Sequence, residues 1–468
     1  MTNPVVATEG RRVLTLTSLA SFMVALDSLV VATSLSTIRS TFGTSFEQLE
    51  WVVNAYGLTL AVLLITGAAL GDRFGRRRMF ATGLGLFVLA SVACALSGSV
   101  TALITARAIQ GAAAALVMPL AMALLSAAFS PEERARALGF FGAVTGLAVL
   151  GGPIIGGLVV EGLAWQWIFW LNVPLGVVMI PLVLRHIPES FGADARFDVC
   201  GVALITAGAL GLVWGLMRGN NTGWMSGEVL TMLAAGIALT LAFVLWSARA
   251  VAPMVPMRLF RTRAFAASNL ANFLLYATLY GALFFTAQFL QIAQGHGPLG
   301  AGLRMLPWTA TLFVIAPIAG NLVSRIGERP LIVAGLALQS LGFGWLALVT
   351  SADLPFVQMI APLVAAGCGV SMAMPAAQSA ILGAVTRTEL GKASGVLNML
   401  RFLGGVFGVA TLGAVFASTG TLASPQSFSA GFTAAMGACA ALSLFGAMAG
   451  LALPHARMIA ARTGEAAP

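Results

Sequence analysis

The sequence predicts an all-α polytopic membrane protein, and three observations lead to this fold class. Hydrophobic residues occupy 59% of the 468 positions, and the mean hydropathy is +0.95. Only 9% of the residues are Asp, Glu, Lys or Arg, whereas soluble domains carry about 25%. The apolar segments are about 18–26 residues long, which suits membrane-spanning helices rather than the ~10-residue alternating strands of a membrane barrel.

Charged and Gly/Pro-rich breaks divide the chain into fourteen apolar segments, each of which is a predicted transmembrane helix. The predicted spans are residues 13–38, 50–70, 79–97, 101–128, 138–160, 166–184, 199–217, 229–248, 265–291, 303–323, 331–350, 355–381, 396–417 and 432–453.

The basic residues predict the orientation of these spans. With the N-terminus inside, twenty of the 25 Lys and Arg residues fall in cytoplasmic segments, Arg39, Arg218 and Arg304 fall in outer loops, and Arg107 and Arg401 lie within spans. Because positive charge concentrates on cytoplasmic loops, we expect a multi-pass protein of the cytoplasmic (inner) membrane with both termini in the cytoplasm. The net charge of +9 then reflects topology and contact with membrane lipid. Nucleic-acid binding is not expected, because no soluble domain gathers that charge.

Segments of the two halves of the chain resemble each other. LGDRFGRRRMF (70–80) aligns with LVSRIGERPLI (322–332) at an offset of 252 residues, and GAAAALVMP (111–119) aligns with GCGVSMAMP (367–375) at an offset of 256. A near-constant offset predicts two parallel repeats of six spans.

Two repeats of six spans leave one two-span hairpin over, so the predicted arrangement is 6 + 2 + 6. The predicted domains are an N-terminal six-helix half, an inserted two-helix hairpin with its cytoplasmic linker, and a C-terminal six-helix half with its tail, at 1–198, 199–264 and 265–468.

Five motifs carry a resemblance to a known family. They are LDSLVVATSLSTI in span 1, GDRFGRRR after span 2, LITARAIQG in span 4, GGPIIGG in span 5 and WQWIFWLNVPLG leading into span 6. Together they resemble the fourteen-span drug:proton antiporter branch of the major facilitator superfamily, over nearly the whole chain. The resemblance implies the major facilitator fold, a small-molecule drug or metabolite as substrate, and the proton as coupling ion with no other cofactor.

Asp27 is the only carboxylate between Arg12 and Arg39, in an otherwise apolar span. Ionisable residues within spans are costly and usually functional. Asp27 can be a structural partner of Arg107, a cation-binding group or a proton carrier. Because buried ion pairs add little stability, we favour the proton carrier.

Arg107 lies about six residues into span 4, with Gln110, Gly111, Ala114 and Met118 on the same helical face. Embedded cations usually pair and mark a transport pathway. The alternative is a long side chain that reaches the outer interface. The resemblance implies a role for Arg107 in proton coupling.

The loop after span 2 combines an acid with several arginines, which can bind carbonyls and acids at neighbouring helix ends. The alternative is simple anchoring by positive charge. The resemblance implies a gating loop whose residues are Asp72, Arg73, Gly75, Arg76 and Arg77 in the first copy and Arg325 and Gly327 in the second. Ser324 replaces Asp72 in the second copy, so we expect a weaker latch there.

Span 5 carries glycines and one proline on a nearly side-chain-free face, which predicts close helix packing and a bend. Tight packing alone is the simpler interpretation. The pattern also resembles the antiporter signature of the family, and its residues are Gly146, Gly152, Pro153, Gly156 and Gly157. The second half lacks this signature, and the asymmetry favours export over uptake.

Polar and aromatic residues at helical spacing predict a substrate cavity, although such residues can also serve only interhelical hydrogen bonding. The candidates are Asn54, Tyr56, Gln110, Met118, Asn272, Tyr276, Tyr280, Met374, Gln378, Asn398 and Arg401.

These observations predict a proton-coupled multidrug efflux antiporter that works by alternating access. Asp27 is the only deep carboxylate expected, and members of the family that carry dications tend to have a further membrane acid, so the resemblance implies lipophilic monocations or neutral compounds as substrates. A dedicated exporter of one antibiotic or metabolite is the alternative within transport. An enzyme or a sensor is not favoured, because the spans carry no catalytic or metal-binding cluster of His, Cys and acids and no soluble domain follows them.

Overall fold

The computed structural model describes residues 4–192, 197–386 and 389–454, and within those ranges the protein is all-α, with no β-strand. Thirteen helical segments there are long and apolar enough to cross a membrane. A fourteenth is obtained when two helical pieces that meet at a bend of 42° count as one span. The sequence-based expectation of an all-helical membrane protein with about this number of spans is confirmed.

The chain divides into two compact units. Unit 1 comprises Met1–Thr206 and Gly297–Leu303, and unit 2 comprises Ala207–His296 and Arg304–Pro468. The division into two six-helix halves and an inserted hairpin remains a prediction. The two units are groups of residues that contact one another closely, and their boundaries do not test where a sequence repeat begins or ends.

The helices in the first part of the chain are α1 (Pro4–Phe42), α2 (Phe46–Phe74), α3 (Arg76–Ala95), α4 (Val100–Ala128), α5 (Pro131–Gly162), α6 (Trp167–Trp170), α7 (Asn172–His186) and α8 (Val199–Thr222). They are followed by α9 (Gly227–Arg249), α10 (Arg263–Gln288), α11 (Pro298–Arg304), α12 (Leu306–Thr309), α13 (Thr311–Ile326), α14 (Glu328–Val349), α15 (Phe356–Gly383), α16 (Leu390–Thr419) and α17 (Pro425–Leu451).

The same helix pairing recurs within each unit. In unit 1, α1 packs on α5, α2 and α3 both pack on α4, and α3 packs on α7. In unit 2, α10 packs on α16, α13 and α14 both pack on α15, and α14 packs on α17. The order of partners along the chain is the same, as expected for an internal repeat.

Prolines set the breaks in three predicted spans, because a proline lacks the N–H for the carbonyl four residues earlier and its ring displaces that carbonyl. Pro153 lies four residues after Val149, where the helical path bends by 42°. Pro174 lies four residues after Trp170, the last residue of α6. Pro307 in the first turn of α12 ends the preceding helix in the same way. The predicted bend in span 5 is therefore confirmed, and the spans expected at 166–184 and 303–323 are present as Trp167–His186 and Pro298–Ile326, each made of consecutive shorter helices.

A glycine with positive φ separates the second and third spans of each repeat. Gly75 has φ 104° between α2 and α3, and Gly327 has φ 84° between α13 and α14. Residues with a Cβ rarely adopt such values. The aligned glycines of the two loop motifs thus make equivalent turns.

Candidate functional site

The centre of the candidate site in unit 1 is an ion pair between two buried side chains. Asp27 lies in α1 and Arg107 in α4, and their side chains are 3% and 0% exposed. Arg107 Nη1 lies 2.5 Å from Asp27 Oδ2. The two residues predicted to act in proton coupling are therefore direct partners, although 80 positions separate them in the chain.

Three further side chains complete the hydrogen bonds of this pair. Gln110 Nε2 donates to Asp27 Oδ1 over 2.9 Å, and Gln110 Oε1 accepts from Arg107 Nη1 over 2.7 Å. Asn172 Nδ2, at the start of α7, donates to Asp27 Oδ1 over 2.8 Å. Ser91 Oγ in α3 accepts from Gln110 over 2.9 Å and from Asn172 over 3.3 Å. We call these five residues the Asp27 cluster.

Helix α2 closes the Asp27 cluster from another side. The Tyr56 ring lies under the Arg107 guanidinium, with 4.2 Å from Cζ to the ring centroid, which is a cation–π contact. The Tyr56 hydroxyl donates to the Val24 carbonyl of α1 over 3.1 Å, and Arg107 Nε donates to the Val52 carbonyl over 3.3 Å. Asn54, another candidate cavity residue, is buried in the same helix.

The hydrogen bonds of the Asp27 cluster compensate the two buried charges. A buried charge is tolerated when it is paired and hydrogen-bonded, and Asp27 accepts from Arg107, Gln110 and Asn172. A proton on Asp27 would remove its charge and leave Arg107 buried without a counter-ion. Protonation therefore requires a rearrangement of the contacts that hold α1 against α4 and α7.

Asn172 and Ser91 are functional candidates that the sequence analysis missed. Asn172 is the only polar residue in WIFWLNVPLG (167–176) and is 4% exposed, so an isolated amide in an apolar segment was the available signal. Ser91 has no comparable signal, because a serine in a span commonly bonds its own helix, and its hydroxyl does donate to the Phe87 carbonyl.

Glu50 is a second enclosed carboxylate of this unit, which the sequence analysis did not single out. It is the fifth residue of α2, which the sequence places near a span end, yet it is only 2% exposed. Its Oε1 has no hydrogen-bond partner within the described part of the chain. Depth along a helix did not predict burial, because neighbouring segments cover this end of α2.

The glycines of α5 allow this helix to pack closely against α1 beside the Asp27 cluster. A Cβ at Gly152 would lie 2.7 Å from Leu29 Cβ, and one at Gly156 would lie 2.8 Å from the Val30 carbonyl oxygen. Leu29 and Val30 follow Asp27 closely in α1. A Cβ at Gly146 would meet no atom within 4 Å, so the close packing expected for the whole face holds for its C-terminal part.

The other two residues of the antiporter signature contact the 297–303 segment of the same unit. A Cβ at Gly157 would lie 2.6 Å from the Pro298 carbonyl oxygen, and the Pro153 carbonyl lies against Gly302. The Glu161 carboxylate accepts from the Leu299 N–H over 3.1 Å.

The first gating-loop motif is tied to the segment after α7. Asp72 Oδ1 accepts from Arg76 Nε over 2.8 Å, and Glu189 Oε1 accepts from the Arg77 N–H over 2.8 Å. Glu189, which sequence analysis missed, also lies 3.7 Å from Arg77 Nε. The turn at Gly75 leaves room for the Glu189 carboxyl group, which would be 2.8 Å from a Cβ at that position.

Arg73 and Arg325, the other two arginines predicted for the gating loops, have no ion pair among the described residues. The Arg73 guanidinium lies over the Phe74 and Phe197 rings, at 5.4 Å and 5.3 Å. Arg325 is exposed, and Gly327 makes the turn. The second copy thus reproduces the turn of the first, with Ser324 in place of the ion-paired Asp72.

In unit 2, α10 and α16 bring together three of the predicted cavity residues. The Arg401 guanidinium lies 4.6 Å from the Tyr276 ring centroid, and the Tyr276 and Tyr280 rings are 6.2 Å apart. Asn272, one turn before Tyr276, donates to the Leu397 carbonyl over 3.3 Å.

Four other candidates differ in position. Met374 of α15 packs against the apolar cluster that includes Tyr276. Gln378 is exposed, and Asn398 donates to the Ser394 carbonyl of its own helix over 2.9 Å. Met118 lies eleven residues beyond Arg107, about 16 Å along α4, so it is not part of the Asp27 cluster.

Comparison with known proteins assigns a family to this architecture. A family model described as "Major Facilitator Superfamily" matches residues 17–409 and 268–465. The multidrug resistance protein Stp of Mycobacterium tuberculosis is 37% identical over 407 residues, which cover 86% of this chain and 75% of that protein. The tetracenomycin C resistance and export protein of Streptomyces glaucescens is 33% identical over 398 residues, which cover 85% and 74%. The multidrug transporter protein MdtP of Bacillus subtilis is 31% identical over 413 residues, which cover 87% and 76%.

Solved structures share the fold. A POT family transporter in complex with 5-aminolevulinic acid has a TM-score of 0.71 at 14% identity, covering 97% of this chain and 96% of that one. The nucleoside transporter NupG has a TM-score of 0.66 at 14% identity, covering 95% and 99%. The family model and the relatives agree with the helices, the repeated pairing and the sequence motifs in indicating a multi-pass membrane transporter and not an enzyme. The chain belongs to the Major Facilitator Superfamily.

Proposed function

We propose that this protein is a proton-coupled antiporter that exports lipophilic compounds, monocationic or neutral, by alternating access. Fourteen spans with both termini in the cytoplasm are part of the proposal. The bent α5, taken as one span, and the distribution of basic residues support this topology. The multidrug and antibiotic resistance proteins among its relatives support export.

The observation that carries the proposal is the buried Asp27 carboxylate shared among four helices. Asp27 is bonded to Arg107 and Gln110 of α4 and to Asn172 of α7, and Ser91 of α3 joins the two amides. A carboxylate in this position has one simple chemical event available, the gain or loss of a proton. Each helix that it joins then responds to its protonation state.

The proposed cycle couples this event to α5. A proton that reaches Asp27 from outside weakens its bond to Arg107, and α1 is released from α4 and α7. Because Gly152 and Gly156 of α5 rest on Leu29 and Val30 of α1, movement of α1 is transmitted to the antiporter signature. Release of the proton toward the cytoplasm restores the Asp27 cluster and allows the next substrate to bind.

The proton gradient supplies the driving force. When a neutral compound is exchanged for one proton, one net positive charge moves inward and the membrane potential contributes about 2.3 kcal/mol per 100 mV, which is more than a tenfold concentration ratio at ~1.4 kcal/mol per factor of ten. Exchange of a monocation for one proton moves no net charge, so the pH difference alone drives it. The gating-loop motif and the predicted cavity residues take the roles expected from the family resemblance, as a latch at the cytoplasmic side and as the substrate-binding surface.

A dedicated exporter of one antibiotic is the second candidate, and it rests on the relatives. One is a tetracenomycin C resistance and export protein, one is a methylenomycin A resistance protein of Streptomyces coelicolor at 34% identity, and one is a cephamycin export protein of Amycolatopsis lactamdurans at 35% identity. Breadth of substrate separates the two candidates, since a dedicated exporter transports one compound among many tested.

The test is dye efflux from proteoliposomes with an imposed pH gradient. The probes are rhodamine B, a net-neutral dye with a free carboxylate, and its ethyl ester, a lipophilic monocation. Asp27→Asn should abolish gradient-driven efflux of whichever dye the wild-type protein transports. It should also abolish proton release when that dye is added to purified protein in weakly buffered detergent solution.

Glu228→Gln is the matched control, because it also neutralises one carboxylate but at the exposed start of α9, where Glu228 pairs with Arg218 over 3.1 Å. Its efflux should equal that of the wild-type protein. Full gradient-driven efflux by the Asp27→Asn variant would show that the coupling acid is elsewhere.

A further inference from the structure

Arg401 is a cation in the middle of a transmembrane helix. It is the twelfth of the thirty residues of α16, about 17 Å from the start of the helix at 1.5 Å per residue. A charged side chain at such a depth is costly unless it is compensated, and such residues usually face a polar pathway. Arg401 is partly exposed as a residue, but its Nε is buried among the packed helices.

Within the described part of the chain, Arg401 has no carboxylate at ion-pair distance, and its buried Nε has no hydrogen-bond acceptor. The guanidinium carbon lies 4.6 Å from the Tyr276 ring centroid and 5.4 Å from that of Phe402, and the Tyr280 hydroxyl is a hydrogen-bond partner of the guanidinium. Neutral partners of this kind offset only part of the cost of desolvating an ion, and none of them carries the negative charge that would balance it.

The aromatic partners are held firmly beside Arg401. Tyr280 packs against Gly405, one turn beyond Arg401, where a Cβ would be 2.8 Å from Tyr280 Cδ2. Tyr276 is 3% exposed and Tyr280 partly exposed. Two packed phenol rings and a guanidinium with no counter-ion among the described residues therefore present donors and apolar faces together. A structural role alone would leave the missing counter-charge unexplained.

We propose that Arg401, Tyr276 and Tyr280 bind an acidic oxygen, a carboxylate or phenolate, of the exported compound. The guanidinium supplies a planar, two-pronged donor that matches a carboxylate, the tyrosine hydroxyl groups supply further donors, and the rings contact the lipophilic body. This inference rests on the proposed export function. It narrows the neutral substrates of that function to lipophilic zwitterions that carry one acidic group and one amine.

The test is equilibrium binding of rhodamine B and of its ethyl ester to the purified full-length protein, followed by fluorescence anisotropy. The two dyes differ by one carboxylate. The wild-type protein should bind rhodamine B at least tenfold more tightly than the ester. Arg401→Gln should weaken rhodamine B binding at least tenfold and change ester binding by less than threefold, and Arg401→Lys should retain part of the preference.

Arg218→Gln is the control, since it removes one positive charge from an arginine of the same unit that is paired with Glu228. It should leave both affinities unchanged. Asp27→Asn should retain the preference for rhodamine B while it loses proton coupling, so a failure of the coupling proposal is distinguishable from a failure of this one.

Three results would overturn the proposal. The first is a wild-type protein that binds the ester as tightly as the acid, or binds neither dye. The second is an Arg401→Gln variant that weakens both dyes equally, which indicates a structural role. If Arg401→Gln does not fold, an Arg401→Lys variant with the full wild-type preference would overturn it, because lysine cannot provide the two-pronged donor.

Discussion

The two arginines embedded in the spans have similar aromatic partners and opposite electrostatic surroundings. Arg107 lies 4.2 Å from the Tyr56 ring and is paired with Asp27, whereas Arg401 lies 4.6 Å from the Tyr276 ring and has no acid beside it among the described residues. In unit 1 the positive charge of Arg107 is therefore neutralised by Asp27, and this balance changes only when Asp27 is protonated. In unit 2 the positive charge of Arg401 is available to an acidic group of a bound ligand.

The loop motifs of the two units differ in the same direction. Both turn at a glycine with positive φ, but the ion-paired Asp72 of the first is replaced by Ser324 in the second, and Arg325 has no ion pair among the described residues. The repeat thus preserved backbone geometry while the charged side chains diverged. If this comparison is correct, equivalent substitutions in the two units should have unequal effects.

The largest expected difference is between Arg107→Gln and Arg401→Gln. Arg107→Gln leaves the Asp27 carboxylate buried without its counter-ion, and breaking a buried pair in this way costs about 3–5 kcal/mol. Arg401→Gln removes a charge that has no ionic partner, so its cost should stay below about 1 kcal/mol. The measurement is the apparent Tm in detergent, from the folded fraction that remains after heating.

The double variant Asp27→Asn, Arg107→Gln is the control for the first substitution. With neither charge present, the apparent Tm should recover most of the loss. An equal loss of stability in Arg107→Gln and Arg401→Gln would contradict the distinction between a balanced and an unbalanced cation.

A smaller difference is expected between two asparagines. Asn172 donates to the Asp27 carboxylate over 2.8 Å, whereas Asn272 donates to a neutral carbonyl over 3.3 Å. Hydrogen bonds to charged groups contribute about 1.5–3 kcal/mol and neutral ones about 0.5–1.5 kcal/mol. Asn172→Leu should therefore lower the apparent Tm more than Asn272→Leu.

Asn172→Leu should also uncouple dye efflux from the imposed pH gradient, because Asn172 touches the proposed proton carrier, whereas any efflux that Asn272→Leu retains should still depend on the gradient. Normal proton coupling and normal stability of the Asn172→Leu variant would show that Asn172 has no functional role in the Asp27 cluster.

The two loop glycines provide the third test. Alanine at Gly75 or Gly327 is forced into a φ of 104° or 84°, which costs about 1–3 kcal/mol. Gly75→Ala has the additional contact with the Glu189 carboxyl group, 2.8 Å from the new Cβ. We expect a lower apparent Tm for Gly75→Ala than for Gly327→Ala, and Gly75→Ala combined with Glu189→Ala should reduce the difference.

The sequence predicted those features of the molecule that depend on local residue patterns. Long apolar segments predicted the spans, Pro153 predicted the bend in α5, and the shared helical face placed Gln110 beside Arg107. Asn172 was missed because its contact with Asp27 joins residues 145 positions apart. Such a contact follows from helix packing, which local periodicity does not specify.

Burial was harder to predict than helical structure for a related reason. Glu50 and Arg401 are both ionisable residues of spans, and the sequence alone assigns them depth along a helix. The neighbouring helices decide whether a side chain is enclosed or partnered. The absence of an acid beside Arg401, among the described residues, and the enclosure of Glu50 were therefore visible only in the structure.

The smallest expected effect concerns an ion pair at the surface, where the comparison between buried and solvated charge is sharpest. Glu389 precedes α16, and its Oε1 lies 2.7 Å from Arg258 Nη1. The Arg258 side chain is 63% exposed. The pKa of Glu389 is lowered from its ordinary 4.5, first by the hydrogen bond from the Thr386 hydroxyl and then by further groups that include Arg258. Exposed pairs of this kind contribute little because solvent screens them.

The sign of the pH dependence follows from the lowered pKa. The folded protein holds Glu389 ionised more readily than the unfolded chain does, so its contribution is present above about pH 4.5 and is lost as the pH falls through the folded pKa. Glu389→Gln should lower the apparent Tm by no more than about 1 °C at pH 7, and the difference from the wild-type protein should shrink below pH 4.5. A difference that grows on acidification would contradict this account, because a carboxylate stabilised in the folded state must lose its advantage when it is protonated.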